Sequence, residues 1–198
     1  MQKAIYYNVA NGGYAVQGGK VTDIPFIKSV TENYNETSAD QYANGMLVGS
    51  VKGVAKKTGE IGVTAEDTAL EEAVGFKQAL AGGVIASVQG AKPKRIDLHY
   101  SYNEIDEDGK EIVVKAWKLN VELGRGAKTH NTRTDSVDIG AYTYPYTCYG
   151  RYLKAAEGDE DYVDENGCKR MVFEVEARPG DTGYETFFDA VPVLKAAE

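Results

Sequence analysis

Residues 94–123, KRIDLHYSYNEIDEDGKEIVVKAWKLNVEL, constrain this chain more than any other stretch. Ile96, Leu98, Tyr100 and Tyr102 alternate with Arg95, Asp97, His99 and Ser101. A period of two puts successive side chains on opposite faces of a strand, one apolar and one polar. Asp106-Glu107-Asp108-Gly109 then supplies an Asp-Gly turn signal, because Gly tolerates positive φ. The return strand breaks phase. Ile112, Val114 and Ala116 are apolar at even positions, whereas Trp117, Leu119, Val121 and Leu123 are apolar at odd ones. Either a β-bulge near Ala116-Trp117 re-aims the strand, or its two halves pack against different partners, one of them a neighbouring subunit.

The flanking segments extend the β pattern. Ile5–Val9 reads as a short strand stopped by Asn11-Gly12-Gly13, and Pro25 confines Ile24–Ile27 to an edge. Residues 28–45 are polar and read as strand fragments within a long loop. Asn35-Glu36-Thr37 is a formal glycosylation sequon, read as solvated loop. Residues 46–63 read as strands broken by glycines. Thr64 is the expected cap of a short α-helix over about 65–74, with Glu66 and Asp67 against the positive end of its dipole and Gly75 just past its end. Tyr142, Tyr144, Tyr146 and Cys148 share one face of a strand, and residues 157–167 form an acidic hairpin tip. Met171–Ala177 is a further strand. Phe187, Phe188, Val191 and Val193 are expected in a last one. A chain of 198 residues fits one domain, 1–198, that is mainly β: a β-sandwich or partly open barrel carrying one short helix.

Chemistry-bearing motifs are sparse. His99 and His130 have no second histidine at ligand spacing and read as surface groups. Ser101, His130 and Asp135 could form a triad on paper, but no nucleophile elbow accompanies them. Gly124-Arg125-Gly126-Ala127-Lys128-Thr129 fails the phosphate-loop pattern at Ala127. Cys148 and Cys168 match no zinc or redox spacing and are expected as free buried thiols, with a disulfide between neighbouring strands as the alternative. Neither catalysis, cofactor nor metal is expected. A net charge of −8 argues against gripping phosphate backbones, which needs clustered Lys and Arg. The N-terminal segment MQKAIYYNVA lacks an apolar stretch of signal length and no run is long enough to span a bilayer, so membrane insertion is not expected.

Three segments carry a resemblance: GEIGVTAEDTALEEAVGFKQALAGGVIAS (59–87), AKPKRIDLHYSY (91–102) and GAKTHNTRTDSVDIGAYTYPY (126–146). An acidic helix ending at Gly75, a Pro93-Lys94-Arg95 start to a central strand, and a Thr/Asp-rich stretch before a Tyr-rich strand resemble the major tail protein family of long-tailed, non-contractile bacteriophages of Gram-positive hosts. The resemblance implies a structural virion protein, assembled in the host cytoplasm. Six-subunit rings would stack into a tail tube whose strands close an inner β-barrel. DNA would pass through without sticking, and the tape-measure, tail-terminator and distal tail proteins would be partners. On that basis Asp97, His99, Ser101, Lys118, Asn120 and Glu122 are the expected lumen-facing residues. Asp106, Glu107, Asp108, Tyr34 and Tyr42 are the expected inter-ring contacts. The competing expectation is a non-catalytic carbohydrate- or receptor-binding β-module, with the Tyr face at 142–149 as an aromatic platform.

Overall fold

The hairpin forms as its alternation requires. β1 (Ile5–Val16) and β2 (Val21–Asp23) precede β3 (Ile27–Asn35), β4 (Ser38–Ala43), β5 (Met46–Lys52) and β6 (Lys56–Val63). The helix α1 (Thr68–Val74) and the short β7 (Lys77–Ala79) and β8 (Ile85–Ser87) follow. The hairpin itself is β9 (Ile96–Ile105) and β10 (Glu111–Leu123); β11 (Tyr142–Cys148), β12 (Arg151–Tyr152), β13 (Met171–Val172) and β14 (Glu174–Ala177) complete the chain. The computed structural model describes residues 5–17, 19–35, 38–43, 46–52, 56–89, 92–105, 109–126 and 142–196.

One antiparallel sheet dominates, in the order β2-β1-β9-β10-β11-β6-β3. β14 shares an edge of β10 with β11: it takes Lys115–Lys118, while β11 takes Val121–Leu123. The sheet curls until β3 lies against β1, which makes a partly open barrel. Inside the curl Ile61, Val63, Ile96, Leu98, Val121, Leu123, Tyr144 and Tyr146 form one core, plugged by Leu70 and Val74 of α1. On the outer side of β9 and β10, Ala15, Trp117 and Leu119 form a second core under Val175, Phe187, Phe188, Val191 and Leu194.

Two cores explain the phase break in β10. Ala116, Trp117, Lys118 and Leu119 are all buried because the strand is covered on both faces. The register then shifts between Lys118 and Val121, where Asn120 has φ 56°. This bulge turns the odd-numbered residues over, so Trp117 and Leu119 face the second core while Val121 and Leu123 face the first. The bulge thus falls three residues beyond the expected place, and both halves of the strand pack within the one subunit.

Four expectations need correction. β1 runs through Asn11-Gly12-Gly13 instead of stopping there; register shifts and left-handed φ values at Asn8 and Asn11 bend it. Residues 28–45 are not a long loop: β3 and β4 occupy most of them and pair with β6 and β5. The helix starts at Thr68, with Asp67 and not Thr64 as its cap, because the Asp67 carboxylate accepts from the Leu70 N–H at 3.1 Å. Gly75 ends it in the left-handed conformation, as expected. The expected last strand is absent: residues 178–194 run in turns and cover the second core, tied down where Trp117 Nε1 donates to the Phe187 carbonyl at 2.8 Å and Lys115 Nζ to the Tyr184 carbonyl at 2.7 Å.

Strand packing at the β3–β6 seam leaves no room for a side chain at Gly59. A Cβ there would meet the Thr31 carbonyl oxygen at 1.9 Å and the Tyr146 hydroxyl at 2.8 Å. That hydroxyl donates to the same carbonyl at 2.9 Å. Gly59→Ala is therefore expected to cost about 1–3 kcal/mol by overpacking, read as a lower urea midpoint. An unchanged midpoint would show that β3 yields freely.

Candidate assembly surfaces

The expected lumen face is mostly interior. Asp97, His99, Ser101 and Lys118 are all buried, so they cannot line an open channel; Asn120 and Glu122 are partly exposed. Each buried group has a local task. Asp97 accepts from the bulged Asn120 N–H at 2.8 Å and from the Arg151 guanidinium at 2.6 Å. Burial raises its pKa, against the pull of those two donors. Ser101 donates to the Ala10 carbonyl and accepts from Asn11, bracing the bent stretch of β1.

Lys118 points into the curl, where it meets carboxylates from two other strands. Its Nζ lies 3.1 Å from Glu174 and also contacts Glu32, while Lys57 sits 2.9 Å from Glu174 and 3.8 Å from Glu32. The Tyr100 hydroxyl donates to Glu174 at 3.2 Å. Burial opposes ionisation of Glu174, but Lys118 and then Lys57 outweigh it and hold the carboxyl below the usual range. Lys118 itself is lowered, burial exceeding the help from Glu174. The network joins β3, β6, β9, β10 and β14 at the open side of the barrel. Two lysines face two glutamates, and the network ties the five strands together as a clamp.

His99 is read by its pattern as a surface group but is 3% exposed. Its ring stacks on Phe188 at 4.3 Å and lies 4.6 Å from Trp117, and neither nitrogen makes a hydrogen bond of good geometry. Gly13 is needed opposite it, since a Cβ there would come within 2.2 Å of Nε2. Burial pushes the His99 pKa down to about 4, against the Asp23 carboxylate and the Asn11 backbone. The unfolded chain therefore takes up this proton first, and stability attached to the neutral ring is complete above about pH 6.5 and drains away towards pH 4. Across that window the wild type is expected to lose about 3 kcal/mol relative to His99→Phe, measured by urea unfolding at each pH. Parallel pH curves for the two proteins would refute this.

The Tyr ladder is likewise internal. Tyr144, Tyr146 and Cys148 are buried in the first core, and Tyr144 donates to Glu71 at 3.0 Å. The middle of the expected aromatic platform is therefore interior, while Tyr142 and Tyr149 at its ends are half-buried. Cys148 and Cys168 are free thiols, one buried and one exposed. Among the described residues, no group of three or more His, Cys, Asp or Glu is placed to hold a metal ion, and no helix is long and apolar enough to cross a membrane.

What does stand out from the body is a pair of hairpins. β4 and β5 pair with each other from Ser38↔Lys52 to Ala43↔Met46 and pack chiefly against one another, beyond the point where β3 and β6 leave the curl. Met46 and Val48 are 70% and 65% exposed on this arm, and Tyr34 is exposed near its base. Tyr42 falls within β4. The smaller β7–β8 hairpin exposes Leu80, Val84 and Ile85. The turn before β3 exposes Phe26, a bulky residue held at φ 63°. Asp106, Glu107 and Asp108 lie outside the described residues, as do His130 and Asp135 of the paper triad. The arm had one legible signal that polarity obscured: Asn44-Gly45 sits between paired Ala43 and Met46, the spacing of a two-residue hairpin turn. Compared with models of known protein families the chain matches none, and a search of curated proteins finds no match either.

Proposed function

We propose that this chain is a self-assembling structural subunit of a phage tail tube, stacked as hexameric rings around a channel for DNA. The observation that carries the reading is the β4–β5 arm. Two strands alone are marginally stable in water, and among the described residues this pair makes its contacts chiefly within itself. Its exposed Met46 and Val48 gain a buried partner when another subunit covers them. Phe26 and the Leu80–Ile85 tip offer further apolar contacts of the same kind. The partly open barrel adds strand edges that neighbouring subunits could extend, which removes an aggregation hazard by ring closure.

With most of the former candidates buried, the channel wall is reassigned to the outer face of β3, β6 and β11. Thr31, Asn33, Thr58, Glu60 and Thr147 line a shallow groove there together with Glu122. Hydroxyls, amides and carboxylates hold no phosphate by charge, so DNA would slide past. Ring and stack partners are other copies of the chain; the tape-measure, tail-terminator and distal tail proteins would meet the channel and the tube ends. The carbohydrate-binding alternative loses Tyr144 and Tyr146 to the core and keeps the half-buried Tyr142 and Tyr149. Negative-stain microscopy of concentrated protein tests the proposal: rings or tubes with an axial hole are expected, and a monodisperse monomer persisting at high concentration would overturn it.

A further inference from the structure

We infer that the cavity between the bent stretch of β1, the turn before β3 and residues 188–189 is a binding site for a guanidinium group, the side chain of an arginine presented by a partner protein. The cavity measures about 620 Å3, with Phe26, Ile24 and Phe188 among its walls. Asp23 and Asp189 border it, and among the described residues no lysine or arginine does. Neither carboxylate has a hydrogen-bond or ion-pair partner among the described residues. This sets them apart from Asp97, Asp161 and Glu174, each of which is held by a cation of the chain itself.

His99 forms part of the same wall. It is 3% exposed, and neither ring nitrogen makes a hydrogen bond of good geometry among the described residues. A buried acceptor left unpaired keeps its full desolvation cost, which a donor entering beside it removes. Burial favours the neutral ring, which offers that acceptor and does not repel a cation. Phe26 adds a flat apolar face at the rim. It is 70% exposed, follows Pro25 in the turn and holds φ 63°, a conformation that Gly or Asn adopts at less cost. Asn8 and Asn11 of the bent β1 share the left-handed region. Three of the four described non-glycine residues with positive φ thus lie at or next to this cavity, and strain of that kind gathers at ligand clamps.

These parts fit a guanidinium better than an ammonium or a metal ion. A guanidinium is planar, stacks on an aromatic face and is weakly hydrated, and its N–H fork can serve two carboxylates and an imidazole together. An ammonium is compact and strongly hydrated, with fewer donors. Among the described residues no group of three or more His, Cys, Asp or Glu is placed to hold a metal. Free arginine would bring its own α-carboxylate to a site with two carboxylates and no cation. The fitting form is therefore an arginine within a polypeptide, its alkyl stem running along the apolar wall.

Carboxylate footprinting of the full-length protein tests the site, whether or not the protein forms rings. Carbodiimide with glycine ethyl ester labels free carboxylates, and mass spectrometry reads the rate at each residue. The probe is N-acetyl-arginine amide, which has no carboxylate or amine for the carbodiimide to couple. At about ten times a roughly millimolar dissociation constant it should slow labelling of both Asp23 and Asp189 about tenfold, leaving the exposed Glu157 and Asp159 unchanged. N-acetyl-citrulline amide, neutral and of the same shape, should protect neither, nor should tetramethylammonium at matched ionic strength. Phe26→Asn keeps a residue that tolerates the left-handed turn but loses the ring, and should weaken the protection about threefold. Asp23→Asn should remove it at Asp189, because one guanidinium holds both carboxylates. No protection in the wild type would overturn the site, as would equal protection by the citrulline probe or by tetramethylammonium. So would full protection of Asp189 in either variant at native circular dichroism.

Discussion

Replacing Glu174 with Ala is expected to destabilise the subunit by about 3–5 kcal/mol, lowering its melting temperature by roughly 10 °C or more. Glu174 is the one carboxylate that meets Lys118, Lys57 and the Tyr100 hydroxyl together. Lys118 is 1% exposed and cannot turn outward to water. Without Glu174 its remaining ion-pair partner among the described residues is Glu32, whose side chain is about one-third exposed and therefore better screened. The cost is that of an uncompensated buried charge and not of one lost attraction, because an intact buried pair often contributes little net stability. The two readings separate experimentally. Combining Lys118→Met with Glu174→Leu removes both charges and fills the space with apolar groups, so the double variant should recover most of the loss. A melting temperature within about 2 °C of wild type for Glu174→Ala would refute the clamp. The pH dependence has a definite sign. The folded-state pKa of Glu174 is depressed, so its contribution is present at neutral pH and lost as pH falls through the carboxylate range. His99 acts in the same direction above that range, whereas the raised pKa of Asp97 opposes both.

The residues of this clamp also show where a sequence stops being legible. Alternation in β9 correctly separates Ile96, Leu98 and Tyr100 from Asp97, His99 and Ser101. It does not say whether the polar side meets water or a second layer. Here the second layer is residues 178–194, about 80 positions away, whose Phe187 and Phe188 close over the sheet without strand periodicity. The buried polar groups are tolerable because their partners arrive from distant elements, such as Arg151 to Asp97 and Glu174 to Lys118. No local pattern encodes such pairings. In β10 a strand buried on both faces smears the phase break over four residues, so the pattern points to Ala116-Trp117 while the bulge lies at Asn120. Tyr142–Cys148 was correctly a strand, yet its tyrosines serve the core because the barrel interior offers Glu71 and the Thr31 carbonyl to their hydroxyls. Polar composition obscures β3 and β4, which are defined by backbone pairing with β6 and β5.

Excising the arm should abolish assembly and spare the subunit. Asn35 and Lys56 are paired across β3 and β6, so residues 36–55 can be replaced by Asn-Gly to close a two-residue hairpin at that point. The lost strands pack chiefly on each other, and the core side chains among the described residues lie outside the excised segment, so stability read from urea unfolding should change by about 1 kcal/mol or less. The same protein should form no rings or tubes at concentrations where the wild type forms them. Met46→Lys with Val48→Lys is the graded version: the arm remains, its apolar contact is replaced by charge, and the concentration needed for assembly should rise about tenfold or more. Tubes from the excised protein would remove the arm from the assembly mechanism. An excised protein that unfolds, while the double lysine variant folds and assembles normally, would show that the arm serves its own subunit instead. The expected pattern, a stable monomer that has lost only its capacity to associate, follows from the distribution of contacts. Among the described residues, the two cores and the Glu174 clamp are built from elements other than β4 and β5, and under the proposed function the arm finds its cover on a second copy.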